Sequence, residues 1–424
     1  MKMTVRRAKF LKIVFVSCIV TFFIVNYFNL IIRNISQTLP INEDFYNKEL
    51  SKSNLEIKWT FTEKEIEEMS GLGKWLISSE INPPSIKNVK TTPYMILIWK
   101  FGPFLENRHI KRFTSKKYSP WENCSVKCTL TYNSNDLEKA DAVIFHIYQT
   151  KNSKELPIRN NYNQRWIFLT DEAPGHTFVH RPQNLSSYNN FFNWTMTYRM
   201  DSDIPVPYGR TVKLSSPFNE SLFINEKLKK KEKLVAVMIS DCYNSKHRID
   251  YIKKLKEILG SNLDIIGKCL NGNKTVCPGN YKNDCEKLEN YKFYLSFENS
   301  HCRQYFTEKL FWNAYEKFAI PVIMGPTYYD SKQLLPPNSF LHVDKFSGPL
   351  SLANYLKQLN TSNNYIQYHK WRKNYKVLNE HGYFGSSSIH YCRACQALHY
   401  NSINKKVYDN LENFWNKSKD CIIY

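Results

Sequence analysis

Residues 291–326 contain two buried-strand patterns separated by one helix, and this arrangement constrains the fold more than any other stretch. Phe293–Phe297 is a short apolar and aromatic run typical of a buried strand. Thr307 can cap a helix whose apolar positions recur three and four residues apart, and Ile320–Met324 has the pattern of a second buried strand. Strand, helix and strand in so few residues predict a βαβ unit, and therefore a parallel sheet with right-handed crossovers.

Polar residues follow the first of these strands, where parallel α/β sheets bind their ligands. Glu298 and Asn299 stand at its carboxyl end, and Lys309 falls in the first turn of the predicted helix. The helix dipole disfavours a cation there, unless the lysine and the backbone N–H groups share a bound phosphate. The pattern alone leaves both a phosphate contact and a solvated surface lysine open.

The same stretch resembles the signature of the α-1,3-fucosyltransferases, in which Phe-Tyr-Leu-x-Phe-Glu-Asn-Ser is followed by Asp-Tyr-Ile/Val-Thr-Glu-Lys. The matching positions include Tyr305, Thr307, Glu308, Lys309, Pro321-Val322 and Gly325-Pro326. The departures are Gln304 for Asp, Phe306 for Ile or Val, and Lys317-Phe318 for Ala-Gly. The resemblance covers roughly Pro93 to Cys395 and implies an α/β fold of the GT-B type, with two Rossmann-like domains facing a cleft. Periodicity alone predicts only two α/β domains.

The amino-terminal residues have the pattern of a membrane anchor. A basic segment, 1–12, precedes an apolar run, 13–32, that is long enough to span a bilayer. The basic flank predicts a cytoplasmic tail and a lumenal catalytic part, as in a single-pass type II membrane protein. A cleaved signal peptide is the alternative, but the run is long and lacks a small-x-small exit. Residues 33–90 are polar and predict a stem.

Strand and helix patterns divide the remaining chain into two domains and a tail, which we place at 91–226, 227–385 and 386–424. The resemblance implies that the first domain binds the acceptor, that the second binds GDP-fucose, and that disulfides pack the tail back on the first. The predicted strands are Tyr94–Trp99, Ala142–Ile147, Trp166–Leu169, Leu234–Ile239 and Leu263–Ile266; the predicted helices include Glu63–Met69, His247–Leu259, Pro349–Leu359 and Tyr365–Leu378. We expect the last helix to cross back to the first domain.

The formal net charge of +21 is compatible with nucleic-acid binding, but the basic residues are dispersed and no nucleic-acid motif is present. With the anchor and the glycosylation sequons, this excludes a nucleic-acid partner. Candidate glycosylation sites are Asn123, Asn184, Asn219, Asn273, Asn360 and Asn416.

Ten of the eleven cysteines lie outside the predicted anchor, and in an oxidising lumen they are expected to pair. Cys124 and Cys128, together with Cys392 and Cys395, also have the spacing of a four-cysteine zinc site, which the lumen disfavours. The resemblance implies that the first two cysteines pair with the second two, in an order that stays open. No partner is assigned to Cys242, Cys269, Cys277, Cys285, Cys302 or Cys421.

A pair of acids, Asp171 and Glu172, follows the strand predicted at Trp166–Leu169. The carboxyl end of a strand is where an α/β enzyme places a general base, although such acids also cap turns, and Asp171 suits a cap. The family carries Glu-Ser-Pro-x-His here, which implies that Glu172 deprotonates the acceptor hydroxyl. Ala173 replaces the usual Ser, and we assign His176 a structural hydrogen bond.

A further block, Phe192 to Ile204, matches the family closely and implies that Tyr198 lies near the donor. Within it, Asp201-Ser202-Asp203 mimics an Asp-x-Asp metal motif, and two carboxylates could chelate manganese next to a diphosphate. We favour a structural role for this motif, because the family's donor chemistry relies on basic residues. No tightly bound cofactor and no protein-held metal is predicted, and Mn²⁺ is retained as a candidate activator.

Arg248 follows the strand predicted at Leu234–Ile239. It aligns with a family arginine, which implies that it binds the diphosphate of GDP-fucose. A surface arginine is the alternative. Arg248 and Lys309 can converge on one pyrophosphate and stabilise the charge that develops on the leaving oxygen. Tyr305, Glu298, Asn299 and Glu308 are further candidate donor contacts.

The resemblance implies an inverting Golgi α-1,3-fucosyltransferase that transfers L-fucose from GDP-fucose to N-acetylglucosamine. Whether the acceptor N-acetylglucosamine lies in the N-glycan core or in the antennae stays open. Whether the protein forms a homodimer also stays open. One alternative is a GT-B enzyme that uses another nucleotide sugar. The other is a catalytically silent, glycan- or nucleotide-binding Golgi protein, which the departures at Ala173, Gln304 and Lys317-Phe318 keep open.

Overall fold

The structure is a computed structural model that describes residues 60–424, except 113, 115, 180, 219–220, 244, 279–282, 403, 405 and 424. The predicted cytoplasmic tail and anchor, most of the predicted stem, and Asn219 lie outside the described residues. Among the residues that are described, no helix is both long and apolar enough to cross a membrane.

Fifteen strands are present in the described part of the chain, seven of them before residue 220. These seven are β1 (Met95–Ile98), β2 (Thr129–Thr131), β3 (Ala142–His146), β4 (Arg165–Leu169), β5 (Trp194–Thr197), β6 (Ile204–Pro205) and β7 (Gly209–Lys213). The others are β8 (Lys233–Met238), β9 (Leu263–Ile266), β10 (Tyr291–Phe297), β11 (His301–Cys302), β12 (Ile320–Met324), β13 (Leu341–His342), β14 (Tyr375–Asn379) and β15 (Cys421–Ile422).

Two parallel sheets contain eleven of these strands. The first has the order β2-β1-β3-β4-β5-β6, and the second has the order β13-β12-β10-β8-β9. Every residue of β3 and of β12 is buried, as expected for parallel strands that are covered on both faces. The α/β class and the βαβ unit around β10 and β12 are therefore confirmed.

Ten α-helical segments lie in the described part of the chain, and several are a single turn. They are α1 (Glu63–Glu68), α2 (Gly71–Ile77), α3 (Gly102–Leu105), α4 (Ser221–Lys229), α5 (Lys246–Leu259), α6 (Glu308–Leu310), α7 (Tyr328–Leu334), α8 (Pro349–Ser362), α9 (His390–Tyr400) and α10 (Lys417–Asp420).

The helix predicted after Thr307 differs from a regular α-helix. Thr307 caps it as predicted, since its hydroxyl accepts a hydrogen bond from the Lys309 N–H at 3.4 Å. After α6, however, the chain widens into a π-helical turn at Phe311–Glu316. The wider turn brings the Ala319 N–H to 3.0 Å from the Ala314 carbonyl, so the helix ends directly at the start of β12.

The prediction of one helix over Tyr365–Leu378 is wrong in its second half. A 3₁₀ helix covers Asn364–Lys373, and the chain then forms β14, which pairs antiparallel with β7. The segment does cross back to the first half of the chain, but it does so as a strand. Helical spacing could not reveal this, because the pairing partner lies more than 160 residues earlier, with Tyr375 opposite Lys213.

Five disulfides join the ten cysteines outside the predicted anchor. Cys124 pairs with Cys392 and Cys128 pairs with Cys395, so α9 is fastened to the segment before β2. The remaining pairs are Cys242–Cys269, Cys277–Cys285 and Cys302–Cys421. The last of these joins β11 to β15, which pair antiparallel. The carboxyl-terminal tail is therefore linked both to the segment after β10 and to the segment before β2.

Among the candidate glycosylation sites that the structure describes, Asn123, Asn184 and Asn273 are exposed, whereas Asn360 and Asn416 are half-buried.

Candidate active site

Loops at the carboxyl ends of β4, β8 and β10 supply the candidate functional residues. The loop after β4 carries Glu172, the loop after β8 leads into α5 with Arg248, and the loop after β10 carries Asn299 and Tyr305. The geometry brings the first loop into contact with the third, because the Tyr305 hydroxyl donates to Glu172 Oε2 at 3.1 Å.

Glu172 occupies a position suited to a general base. Burial raises the pKa of its carboxyl, and the negative charge of Asp171 adds to that increase. The pKa is lowered by Arg108, by the Tyr305 hydroxyl and by Lys309, but these effects do not cancel the increase. A carboxylate with a raised pKa is a stronger base than a solvated glutamate.

Within the described residues, the Asp171 carboxylate accepts no hydrogen bond from the next turn, which corrects the prediction of a cap there. Its carboxylate is buried in a cluster of basic side chains: Nε2 of His390 lies 3.0 Å from Oδ1, while Arg108, His381 and His109 lie 3.4, 3.7 and 4.0 Å from Oδ2. Burial would raise the pKa of Asp171, but the charges around it hold that pKa well below its usual range. No local sequence pattern indicates this cluster, because its members come from three distant segments.

Three members of the cluster, His109, Asp171 and His390, have ligand atoms within 4.8 Å of one another. They are nevertheless a poor metal site. The rings of His109 and His390 stack at 3.8 Å with an interplanar angle of 14°, so their in-plane lone pairs cannot both point at one ion. Arg108 also supplies a positive charge next to the carboxylate.

Two cations lie at the carboxyl end of β10. Arg248 is buried and donates to the carbonyls of Phe297 (3.2 Å) and Asp241 (3.0 Å). Lys309 Nζ lies 3.0 Å from Glu298 Oε2 and 3.3 Å from Glu308 Oε1. Burial lowers the pKa of Arg248; in Lys309 the two glutamates outweigh the effect of burial and raise the pKa, so the ammonium stays charged.

Glu298 is occupied by protein contacts. Its Oε1 accepts hydrogen bonds from the N–H (2.9 Å) and hydroxyl (2.8 Å) of Thr307, and only 1% of the residue is exposed. Gly325, at φ 140°, passes so close that a Cβ there would lie 2.8 Å from the Glu298 Cβ. The structure therefore places Glu298 where it orients Thr307 and Lys309, without a free face toward a ligand.

The other predicted donor residues differ in how deeply they are buried. Asn299 lines a cleft of about 340 Å³, and within the described residues its Oδ1 has no hydrogen-bond partner. Glu308 is half-buried beside Lys309. Tyr198 lies behind Tyr305, with ring centroids 4.9 Å apart, and only 1% of it is exposed.

Both carboxylates of the Asp-x-Asp motif are bonded within the protein. Asp201 forms an ion pair with Arg199, and Asp203 accepts hydrogen bonds from the Thr195 N–H, Lys406 and the Tyr408 hydroxyl. Neither carboxylate is free to chelate an ion next to a diphosphate.

His176 makes the structural hydrogen bond that we assigned to it. Its Nδ1 lies 2.6 Å from the Ser300 hydroxyl, which joins the loop after β4 to the end of β10.

The departures from the family signature are accommodated by local contacts. Gln304 accepts a hydrogen bond from the Met200 N–H at 2.9 Å. Lys317 is buried in an ion pair with Asp284. Phe318 has φ 55°, a left-handed conformation that the family's glycine adopts without strain, and the guanidinium carbon of Arg372 lies 4.0 Å from its ring centroid.

Two family models match most of the region described above. The model described as glycosyltransferase family 10 (fucosyltransferase) C-term matches residues 228–415, and the model described as fucosyltransferase, N-terminal, matches residues 91–209.

Curated relatives agree with these matches. A protein of Gorilla gorilla gorilla named 4-galactosyl-N-acetylglucosaminide 3-alpha-L-fucosyltransferase FUT5 is 36% identical over 279 residues, covering 65% of this chain and 69% of the relative. A Bos taurus protein named 3-galactosyl-N-acetylglucosaminide 4-alpha-L-fucosyltransferase FUT3 is 32% identical over 327 residues, covering 76% and 82%. A crystal structure of an α1,3-fucosyltransferase with GDP-fucose aligns with 82% of this chain and 99% of its own, at 18% identity and a TM-score of 0.43.

Proposed function

The chain belongs to glycosyltransferase family 10, the fucosyltransferases, and from this premise we propose that it transfers L-fucose from GDP-fucose in α-1,3 linkage to the N-acetylglucosamine of a glycan. Inversion at the anomeric carbon needs a base on the acceptor side and charge stabilisation on the leaving-group side. One observation carries the proposal: the 3.1 Å contact between Tyr305 and Glu172. It joins the candidate base to the segment that leads into Lys309.

On the acceptor side, Glu172 removes the proton of the attacking hydroxyl. Within the described residues, a hydrogen bond from Tyr305 to Oε2 holds its carboxylate, and Oε1 is available to the acceptor. The raised pKa of Glu172 brings it closer to that of a base working at neutral pH.

On the leaving-group side, Arg248 and Lys309 bind the diphosphate and stabilise the charge that grows on its bridging oxygen. Glu298 fixes Lys309 and the start of α6 without contacting the donor. Asn299, Glu308 and Tyr305 are the candidates for direct contacts with the sugar or ribose, and Tyr198 supports Tyr305 from behind. If Mn²⁺ activates transfer, it acts without the Asp201 and Asp203 pair, which is bonded elsewhere.

The cellular setting belongs to the same proposal. Residues 13–32 would anchor a type II Golgi protein with a lumenal catalytic part of GT-B type, in which 91–226 binds the acceptor and 227–385 the donor. The oxidising lumen agrees with the five disulfides. Homodimerisation is tested by light scattering on the purified protein.

The test is a transfer assay on the full chain made in a secretory host. GDP-fucose is offered with core and antennary N-acetylglucosamine acceptors, with EDTA or Mn²⁺, and products are weighed by mass spectrometry. The proposal expects the gain of one deoxyhexose, and the acceptor that gains it identifies the site of transfer. GDP binding without transfer to any acceptor would favour the silent binder, and transfer from a different nucleotide sugar would favour the other GT-B alternative.

A further inference from the structure

The carboxyl-terminal segment is fixed against the cleft at the end of β10. Trp415 is fully buried and its Nε1 donates to the Thr177 hydroxyl at 2.9 Å. Asp420 forms an ion pair with Arg199 at 2.9 Å, and the next residue is joined by a disulfide to Cys302. The one-turn helix α10 is therefore held at both ends, and the position of its first residue, Lys417, is set by the fold.

Lys417 lines the same cleft of about 340 Å³ as Asn299. Its stem lies over the loop that follows Glu172, since a Cβ built on Gly175 would be 3.8 Å from Lys417 Cε. The side chain is exposed to the cleft, and within the described part of the chain no carboxylate lies within ion-pair distance of its ammonium. A charged group in this position is available to a ligand.

Side chains of three separate elements meet at the carboxyl end of β10. Arg248 contacts the Phe297 carbonyl, Lys309 contacts Glu298, and His176 contacts Ser300. The pKa of His176 is lowered first by burial, and then by the nearby charges of Arg248, Lys417 and Lys309, while Asp241 opposes them. Lys417 lines the cleft together with His176 and Ser300, so with Arg248 and Lys309 three cations lie around this strand end, an arrangement suited to a multiply charged anion.

We propose that Lys417 is a third cation of the donor diphosphate site, supplied by the carboxyl-terminal tail. The proposal rests on the proposed function, because it names a further residue for GDP-fucose. Lys417 lies beyond residue 415, where the match to the family model ends, so the family signature does not point to it. In this role the tail forms one wall of the donor cleft, and Lys417 acts as a point charge on the phosphates.

The experiment compares Lys417→Ala with Lys419→Ala in the full chain. Both lysines belong to α10 and are exposed, but only Lys417 lines the cleft, and both substitutions leave the Asn416-x-Ser418 sequon intact. GDP, GMP and guanosine are titrated by calorimetry at low and at raised salt. We expect Lys417→Ala to weaken GDP binding about tenfold, GMP binding less, and guanosine binding not at all. The difference from Lys419→Ala should shrink as salt is added.

Two further measurements keep the outcomes distinct. Lys417→Arg should keep GDP affinity within about threefold of the parent protein, because the charge is retained. Equal GDP affinity in Lys417→Ala and Lys419→Ala, with matching thermal melts, would overturn the role of Lys417 and leave the proposed function unaffected. An unsubstituted protein that does not bind GDP would overturn the proposed function as well.

Discussion

Nε2 of His390 lies 3.0 Å from Oδ1 of Asp171, the residue immediately before the candidate base. His390 begins α9, the helix that two disulfides fasten to the segment before β2. The hydroxyl of Tyr208 also donates to the Asp171 carbonyl at 3.2 Å, so both the side chain and the backbone of Asp171 are held. The position of Glu172 therefore depends on contacts far from the reacting atoms.

Replacing Asp171 with Asn should change both the rate and the pH dependence of transfer. The substitution removes the negative charge beside Glu172 while the positive charge of Arg108 remains, so the pKa of Glu172 falls. The acid limb of the kcat profile should move to lower pH, with kcat reduced about ten- to a hundredfold by misplacement of the base. The groups facing Asp171 are Arg108 and three histidines, His109, His381 and His390.

The readout is a pH–rate profile together with the KM for GDP-fucose, which should stay unchanged. A lower kcat with an unmoved acid limb would mean that Asp171 acts only on the fold.

Replacing Glu172 with Gln should abolish the acid limb and lower kcat by about 10² to 10⁴, because the acceptor hydroxyl loses its base. In the parent enzyme, activity should fall as pH drops through a pKa that burial has raised above the usual value for glutamate. GDP affinity, measured by calorimetry, should be unchanged, since the carboxylate acts on the acceptor. Weakened GDP binding in this variant would place Glu172 in the donor site instead.

Arg248 and Lys309 should each contribute to GDP affinity, but only the substitution of Lys309 should also lower stability. Arg248→Ala should weaken GDP binding about ten- to a hundredfold, the loss expected for charge-assisted hydrogen bonds. Lys309→Ala leaves Glu298 buried without its partner, so stability is expected to fall too. The double variant Lys309→Ala/Glu298→Gln should recover the thermal melt without recovering GDP affinity. Normal affinity in both basic variants would remove the diphosphate assignment.

The sequence predicted most of the elements that position the site. The βαβ unit, the cap at Thr307 and the strands that precede Glu172 and Arg248 follow from apolar runs and short spacings. The features of the site that the sequence did not predict depend on long-range contacts. Glu298 looked like an open carboxylate at a strand end, and only the folded chain shows both its oxygens bonded within the protein.

The histidine cluster around Asp171 shows the same limit. His109, His381 and His390 lie in segments that have no common spacing, and each alone is typical of a buried structural histidine. Pairing of β7 with β14 brings His381, just past the end of β14, to the ring of Tyr208 and to Asp171, and the disulfides on α9 bring His390. A local pattern cannot encode contacts that arise from topology and cross-links.

Asp330 should make the stability of the enzyme fall as pH rises. It is fully buried, and burial raises its pKa from 3.8 to about 7 despite hydrogen bonds from Thr327. Between these two values the folded state binds a proton that the unfolded state has lost, so the free energy of unfolding decreases as pH rises through this window. Asp330→Asn removes the titration and should stabilise the protein above pH 7, by at most about 4 kcal/mol, with the gain vanishing toward pH 4. Scanning calorimetry of both proteins at matched pH values measures this, and a constant difference in Tm would show that Asp330 is ionised in the fold.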